Sequence, residues 1–340
     1  MGRVEAHRYK CTCCHRIFRH YPQGVTAKDQ SQRTVVLAAL MYGLGLSCSA
    51  ASHLLRALGV EVSKMSVWRD AQEAGEALRR KRPVGKVWVL GADETVYKVS
   101  GQEVVVGFLT DAGGERTLGF EVLTEGDGHA VVEWLEPYAR ELGAEVLVSD
   151  DNDSYGLASA ELGLSHQLCL AHVRKYVTRR SKSILEQALR GVERGRGGEI
   201  REARRGSRVA KAVTGGTARG RWQADRTVAP KVFVGRTAYQ EQTKERKEAA
   251  TKKASAGYRM RMLTFELSEK WHKICLHLSR PELGLDGTNN ATERAIGKSK
   301  VRYKSMRGYK SPEGMTNGIA LTQWLYSGED EHALAKEMAA

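Results

Sequence analysis

Three acidic side chains, far apart in the chain, have the types and settings for divalent-metal chemistry. Asp93 closes Val87-Trp88-Val89-Leu90-Gly91-Ala92-Asp93, and Asp150 closes Glu145-Val146-Leu147-Val148-Ser149-Asp150, two runs of strand-forming residues. Glu293 stands in Asn289-Asn290-Ala291-Thr292-Glu293-Arg294-Ala295, which reads as the first turn of a helix. Carboxylates at two strand ends and on one helix, gathered by folding, suit a pair of Mg²⁺ ions, for which Mn²⁺ could substitute. Such a pair activates a hydroxyl and stabilises a leaving oxygen, the two tasks of phosphodiester chemistry on DNA. Neighbouring acids leave alternatives open: Glu94 stands beside Asp93, and Asp151 and Asp153 beside Asp150. Successive strand side chains alternate faces, so Asp150 and Asp151 cannot both point inward while the strand persists. Asp150 is preferred over Asp151, and Asp93 more firmly over Glu94.

The elements around these acids follow from periodicity. Residues 29–82 read as three helices, a candidate helix-turn-helix. Val35, Val36, Ala39 and Leu40 keep helical spacing, Ser47 can cap a second helix ending at Gly59, and Ser63 can cap a third. In such a motif the last helix enters the major groove, making Lys64, Ser66 and Arg69 candidate DNA contacts while Val67 or Trp68 packs inward. Beyond Pro83 and Gly85 the period changes to that of strands at 87–93, 103–110 and 116–123. A helix at His129–Leu142, the strand ending at Asp150, a short helix, a fifth strand at Ser165–Leu170 and a helix from Ala171 follow. This order predicts an α/β fold, a ribonuclease-H-like mixed sheet flanked by helices, with its first part at residues 86–190. Residues 191–257 form a Gly- and Arg-rich insertion expected to be partly irregular. Residues 258–330 are expected to complete the core, opening with an amphipathic helix through Trp271 and Leu278.

Charge points to a polyanionic partner. The chain of 340 residues carries 54 Lys+Arg against 40 Asp+Glu, a net +14. Between Ala171 and Arg261 there are 25 Lys+Arg and 8 Asp+Glu, so the local excess of 17 exceeds that of the whole chain. Basic charge concentrated in one segment suits contact with DNA phosphates. No stretch approaches the roughly 20 apolar residues that span a bilayer. Six cysteines in a chain of this length make no disulfide framework, so they are expected reduced in a cytoplasm.

The chain resembles insertion-sequence transposases of the Asp-Asp-Glu type. Ala92-Asp93-Glu94-Thr95 looks like that family's first acidic motif, Val148-Ser149-Asp150-Asp151 like its second and Asn289-Asn290-Ala291-Thr292-Glu293-Arg294 like its third. Glu293 follows Asp150 by 143 residues, an interval in which such transposases often carry an insertion. The resemblance implies a prokaryotic enzyme that binds double-stranded DNA at an element's terminal repeats, cuts it with Mg²⁺ and joins it to a target. It also implies a homodimer or larger assembly on paired DNA ends. Leu168-Cys169-Leu170-Ala171-His172 resembles a Cys-x-x-His signature of several transposase groups, which implies that Cys169 and His172 flank the site, with His172 touching DNA.

Further ligands and contacts are less specific. Lys300 follows Glu293 by seven residues, on the same helical face, where it could hold a phosphate. Arg294, Lys298, Arg302, Lys304 and Arg307 add to this basic stretch. Cys11-x-x-Cys14 looks like one half of a zinc ribbon, a degenerate one at residues 1–22, with His7, Cys13 and His15 as makeshift further ligands. His272 and Cys275 have ligand spacing too, but nothing in the sequence brings them near Cys169. Two rivals share these features: a ribonuclease-H-like nuclease without strand transfer, and a catalytically inactive sequence-specific DNA-binding protein.

Overall fold

The computed structural model describes residues 7–20, 30–192 and 256–327, apart from positions 82, 84, 115, 125, 126 and 307, together with Leu334 and Met338. The basic insertion lies almost wholly outside the described residues, as does Arg307.

A hairpin of β1 (His7–Lys10) and β2 (Ile17–His20) opens the chain, exposed along its whole length. Its turn carries Cys11, Cys13 and Cys14, and N–H groups of Cys14 and Cys13 donating to the Cys11 sulfur hold that thiol below its usual range. Three helices follow: α1 (Gln32–Gly43), α2 (Cys48–Ala57) and α3 (Lys64–Arg80). Each starts at a serine whose hydroxyl accepts an orphan backbone N–H. Ser31 takes Thr34, Ser47 takes Ala50, and Ser63 takes Ser66. Val67 is fully buried and Trp68 is exposed, so Val67 is the inward member of that pair.

The sheet is five-stranded. β3 (Val89–Val99), β4 (Gln102–Asp111) and β5 (Arg116–Leu123) form an antiparallel meander. After α4 (Gly128–Leu142), β6 (Val146–Ser149) pairs parallel with β3. After α5 (Asp153–Glu161), β7 (Ser165–Leu168) pairs parallel with β6, giving the order β5-β4-β3-β6-β7. This is a mixed α/β sheet of the layout the element order predicts. One layer against it is built from α4 and α5, with Trp134, Leu135 and Tyr155 packed on Leu90, Ala92 and Leu147.

The other layer comes from the end of the chain. α6 (Leu170–Val192) leaves β7, and α7 (Ala256–Glu269) packs along it through Met260, Leu263 and Leu267. The single helix expected through Leu278 is instead broken into α7, α8 (Trp271–Ile274) and α9 (Leu276–Ser279). A buried side chain causes the last break. Gln167 on β7 donates to the Ile274 carbonyl (3.1 Å) and accepts the His277 N–H (2.8 Å), taking over bonds that a continuous helix would need. A short 3₁₀ turn at Pro281–Leu283 leads to α10 (Asn290–Ser305) and α11 (Pro312–Leu325).

The three N-terminal helices are not packed apart from this core. Val36, Ala39 and Tyr42 of α1 and Ala71 and Ala74 of α3 share one cluster with Leu321 and Trp324 of α11. At Gly75 the approach is so close that a Cβ would lie 2.4 Å from the Asn317 carbonyl oxygen. Arg302 on α10, counted in the sequence with the basic stretch, is buried: it stacks 3.7 Å from the Tyr42 ring centre and donates to the Leu46 carbonyl at 2.9 Å. Burial there takes a cation out of the basic stretch and uses it for a contact between α10 and α1.

Candidate active site

Three elements converge on one crevice. β3 and β6 pair at Val89↔Val146, Leu90↔Leu147 and Gly91↔Val148, after which β6 ends at Ser149. Continuing that register by two residues sets Asp150 opposite Asp93. Asp93 is thus not at a strand end, as its sequence setting suggested. β3 runs on to Val99 because β4 stays paired with it to Val99↔Gln102. Asp93 sits where β3 loses its β6 neighbour, and that open flank forms the crevice.

Strand alternation separates the neighbouring acids. Leu90 and Ala92 face the α4–α5 layer, whereas Tyr97 and Val99 face α10 and α11. Asp93 shares the face of Tyr97, and Glu94 that of Ala92, where it is an electrostatic neighbour of the buried Tyr155 hydroxyl. Beside Asp150, beyond the end of β6, an ion pair does the sorting. Asp151 is ion-paired with Lys270, which also lies 3.8 Å from Glu266. Asp151→Asn is therefore expected to lower stability by less than about 1 kcal/mol, the ordinary worth of a half-exposed pair. Urea unfolding measures it.

Asp93 carries the electrostatic signature of the site. Burial raises its carboxyl pKa to about 6, and the charges of Asp150 and Glu293 add to that rise. The Glu94 N–H, donating at 2.8 Å, and His172 pull the other way. Asp93 thus senses Asp150, Glu293 and His172 together.

Glu293 is delivered by the first turn of α10, and four polar groups pin that turn to the sheet. The Asn289 side chain occupies the helix N-cap position without capping the helix. Instead its Nδ2 donates to the Ala92 carbonyl at 2.8 Å, and its Oδ1 accepts from the Thr292 hydroxyl at 2.6 Å. Thr292 Oγ1 also lies 2.7 Å from Thr110 Oγ1 on β4. Asn289 and Thr292 are 1% and 0% exposed, so this network is sealed from water. Gly91 makes room for it: a Cβ there would lie 2.6 Å from Asn289 Oδ1 and 2.7 Å from Thr292 Oγ1. These positioning residues went unread in the sequence, although the Asn-x-x-Thr spacing beside Glu293 was a usable signal.

Cys169 and His172 enter from the start of α6. Cys169 is buried, and its sulfur accepts the Asn289 N–H at 3.3 Å. His172 Nδ1 stands 3.9 Å from Glu293 Oε1. Pairing between thiol and imidazole lowers Cys169 against the opposing effect of its burial and raises His172. His272 and Cys275 are not grouped with them; among the described residues the one cluster of three candidate metal ligands is Cys169, His172 and Glu293. In the exposed hairpin, Cys11 and Cys14 gain no third ligand from His7, Cys13 or His15 among the described residues.

A buried histidine lies next to the second acid. His166 on β7 pairs through Nε2 with the Ser149 hydroxyl at 2.8 Å, and that hydroxyl donates to the Asp150 carbonyl at 2.9 Å. Burial lowers its pKa from 6.5 to about 4, with Lys273 acting in the same direction. The unfolded chain therefore binds more protons in this interval, and stability is lost as pH falls from 6.5 through 4. The full loss is about 3 kcal/mol. Asp93 acts in the opposite sense over much of this interval, so the loss is read by difference: in urea unfolding the wild type should lose stability relative to His166→Gln between pH 7 and pH 4.5.

The family model described as Transposase IS66 family matches residues 31–317. The chain belongs to the IS66 transposase family. The matched span of this IS66 transposase begins just before α1, contains Asp93, Asp150 and Glu293, and ends inside α11. None of the curated proteins matches the chain. No helix among the described residues is long and apolar enough to cross a membrane.

The basic candidates of the transposase fall on separate surfaces. Lys64 and Arg69 are exposed and Ser66 is half-buried on the first two turns of α3. Lys300 lies over the Tyr97 ring, 5.8 Å from its centre, on the strand face that also carries Asp93. Arg294 is exposed and lines a cavity of about 230 Å³ with Arg116, Thr117, Lys298, Gln323 and Tyr326.

Proposed function

We propose that this transposase cuts the ends of an insertion sequence and joins them to target DNA, with Asp93, Asp150 and Glu293 as its catalytic acids. The observation that carries this reading is convergence: the parallel register sets Asp150 opposite Asp93, and the Asn289–Thr292 network holds Glu293 against the same strand, so that Asp93, its carboxyl raised mainly by burial, also feels both charges. Acids from a strand, a strand end and a helix do not crowd together for stability, since each raises the energy of the others. A cation is the natural remedy. The all-oxygen donor set suits Mg²⁺, and Glu293 Oε1 is buried with no hydrogen-bond partner. Two Mg²⁺ held by these three residues would supply an activated water or 3′-hydroxyl and stabilise the leaving oxygen.

The rest of the work falls to the chain itself. Asn289, Thr292 and Gly91 hold Glu293 at the sheet. Lys300, Arg294 and His172 contact DNA phosphates around the crevice. Lys64, Ser66 and Arg69 read the terminal repeat from α3, acting as the recognition helix of a helix-turn-helix, and the basic insertion grips flanking DNA. Two copies act on paired ends in the cytoplasm, at the nucleoid.

The test is incubation of the purified protein with Mg²⁺ and labelled duplex carrying the ends that flank its gene. Nicked product followed by a joined strand-transfer product supports the reading. Degradation without joining would show a nuclease, and binding without nicking an inactive DNA-binding protein. Asp151→Asn should keep cleavage within about threefold, because Lys270 already occupies that carboxylate. Asp150→Asn should not.

A further inference from the structure

Cys169 and His172 have no place in an oxygen-only magnesium site, yet the structure directs both at Glu293. The candidate ligand atoms of Cys169, His172 and Glu293 all lie within 4.8 Å of one another. Two of them, His172 Nδ1 and Glu293 Oε1, are buried, have no hydrogen-bond partner and stand 3.9 Å apart. Two unpartnered polar atoms facing one gap are costly to bury unless something occupies that gap. The third atom, the Cys169 sulfur, accepts the Asn289 N–H at 3.3 Å, a bond that stabilises a thiolate and fixes its direction. Sulfur, imidazole and carboxylate together are a borderline-soft donor set that selects Zn²⁺ over Mg²⁺. Tetrahedral zinc holds such donors about 3.4–3.8 Å apart, so contraction by about 1 Å completes the site.

The geometry points to an inhibitory zinc site at Cys169, His172 and Glu293, in which Zn²⁺ withdraws Glu293 from the magnesium site. Three protein ligands leave a fourth position for water, and the Cys169 thiol gives its proton to solvent as the ion binds. One carboxylate serves two sites and cannot fully serve both. Zinc occupancy and DNA cleavage are therefore mutually exclusive, and magnesium and zinc compete. This regulation rests on the catalytic reading of Glu293, but the binding of zinc does not.

The experiment has two arms. In the binding arm, Cd²⁺ is the probe, because its thiolate charge-transfer absorption reports sulfur ligation directly. The background is the Cys11→Ser, Cys13→Ser, Cys14→Ser chain, so that the hairpin thiols contribute nothing. Cys169→Ser should abolish the added absorption, and Zn²⁺ affinity measured by chelator competition should fall at least tenfold in Cys169→Ser, His172→Gln and Glu293→Gln. Asp93→Asn should leave that affinity within threefold. Circular dichroism and thermal unfolding check that each variant is folded; Cys169→Ser changes a single atom and keeps the packing. Unchanged Zn²⁺ affinity in folded Cys169→Ser or Glu293→Gln overturns the proposal, as does loss of affinity in Asp93→Asn. In the activity arm, Zn²⁺ is titrated into Mg²⁺-dependent cleavage, each variant being compared with its own zinc-free rate. The wild-type rate should fall and recover with added Mg²⁺, while Cys169→Ser should need at least ten times more Zn²⁺. Equal inhibition of both overturns the regulatory claim. A protein that binds zinc through these three residues but never cuts DNA refutes the catalytic reading instead.

Discussion

Asp93→Asn is expected to reduce Mg²⁺-dependent DNA cleavage by at least about 10³-fold, roughly 4 kcal/mol of transition-state stabilisation. DNA binding should change by less than about threefold, since an acid that holds cations contributes no phosphate contact of its own. Single-turnover cleavage and gel-shift titration separate the two quantities. Stability should move in the opposite direction. The Asp93 carboxyl, near 6 in the fold against 3.8 unperturbed, binds protons more tightly in the native state. Between those values stability falls as pH rises, and at neutral pH the ionised group destabilises the fold by about 3 kcal/mol at most. In EDTA, Asp93→Asn should therefore unfold at higher urea than the wild type. Adding Mg²⁺ should stabilise the wild type and narrow that gap. A wild-type protein indifferent to Mg²⁺ in both assays would sink the metal assignment. Asp150→Asn and Glu293→Gln should lose cleavage to a similar degree.

Asn289→Ala should have the second largest effect, although Asn289 touches no substrate. Its side chain joins the Ala92 carbonyl on β3 to the Thr292 hydroxyl on α10, both buried. Truncation strands those partners away from water, costing about 2–3 kcal/mol. It also frees the turn that carries Glu293, so cleavage should fall at least tenfold in molecules that remain folded. A shift in the Mg²⁺ concentration needed for half-maximal rate would mark a positioning role, because general loss of stability leaves that midpoint alone. Gly91→Ala should act on the same contact from the other side, since its Cβ would meet Asn289 and Thr292. Combining the two substitutions should cost less than their sum, because removing Asn289 empties part of the space that the new methyl group needs.

Much of the candidate site's framework was legible because its signals are local. Strand runs ending near Asp93 and Asp150, serines 47 and 63 at helix starts, and a helical turn around Glu293 all follow from neighbours within four residues. The errors arose where distant contacts overrule local pattern. β3 continues past Asp93 only because β4 keeps pairing with it, and nothing in Glu94-Thr95-Val96 announces the partners Gly107, Val106 and Val105 on the next strand. The helix expected through Leu278 breaks because Gln167, over a hundred residues earlier, takes its hydrogen bonds. Arg302 was counted with the basic stretch after Glu293, and its burial against Tyr42 depends on α1 lying alongside α10.

From its order of residues alone this chain declared an α/β protein, basic in one segment, with three acids of the right kind for metal-dependent phosphodiester chemistry. Those properties are one-dimensional: side-chain period, charge density and residue type survive in an unfolded chain. Which acids share a crevice does not. The preference for Asp150 over Asp151 gains its spatial support from the parallel register that faces it to Asp93 and the Lys270 that draws Asp151 away. Bringing Glu293 to them, with the Cys169 sulfur and His172 at its side, needed the Asn289–Thr292 network closing a separation of 143 residues. Tertiary structure decides such matters because burial and electrostatic crowding exist only between groups that folding has made neighbours.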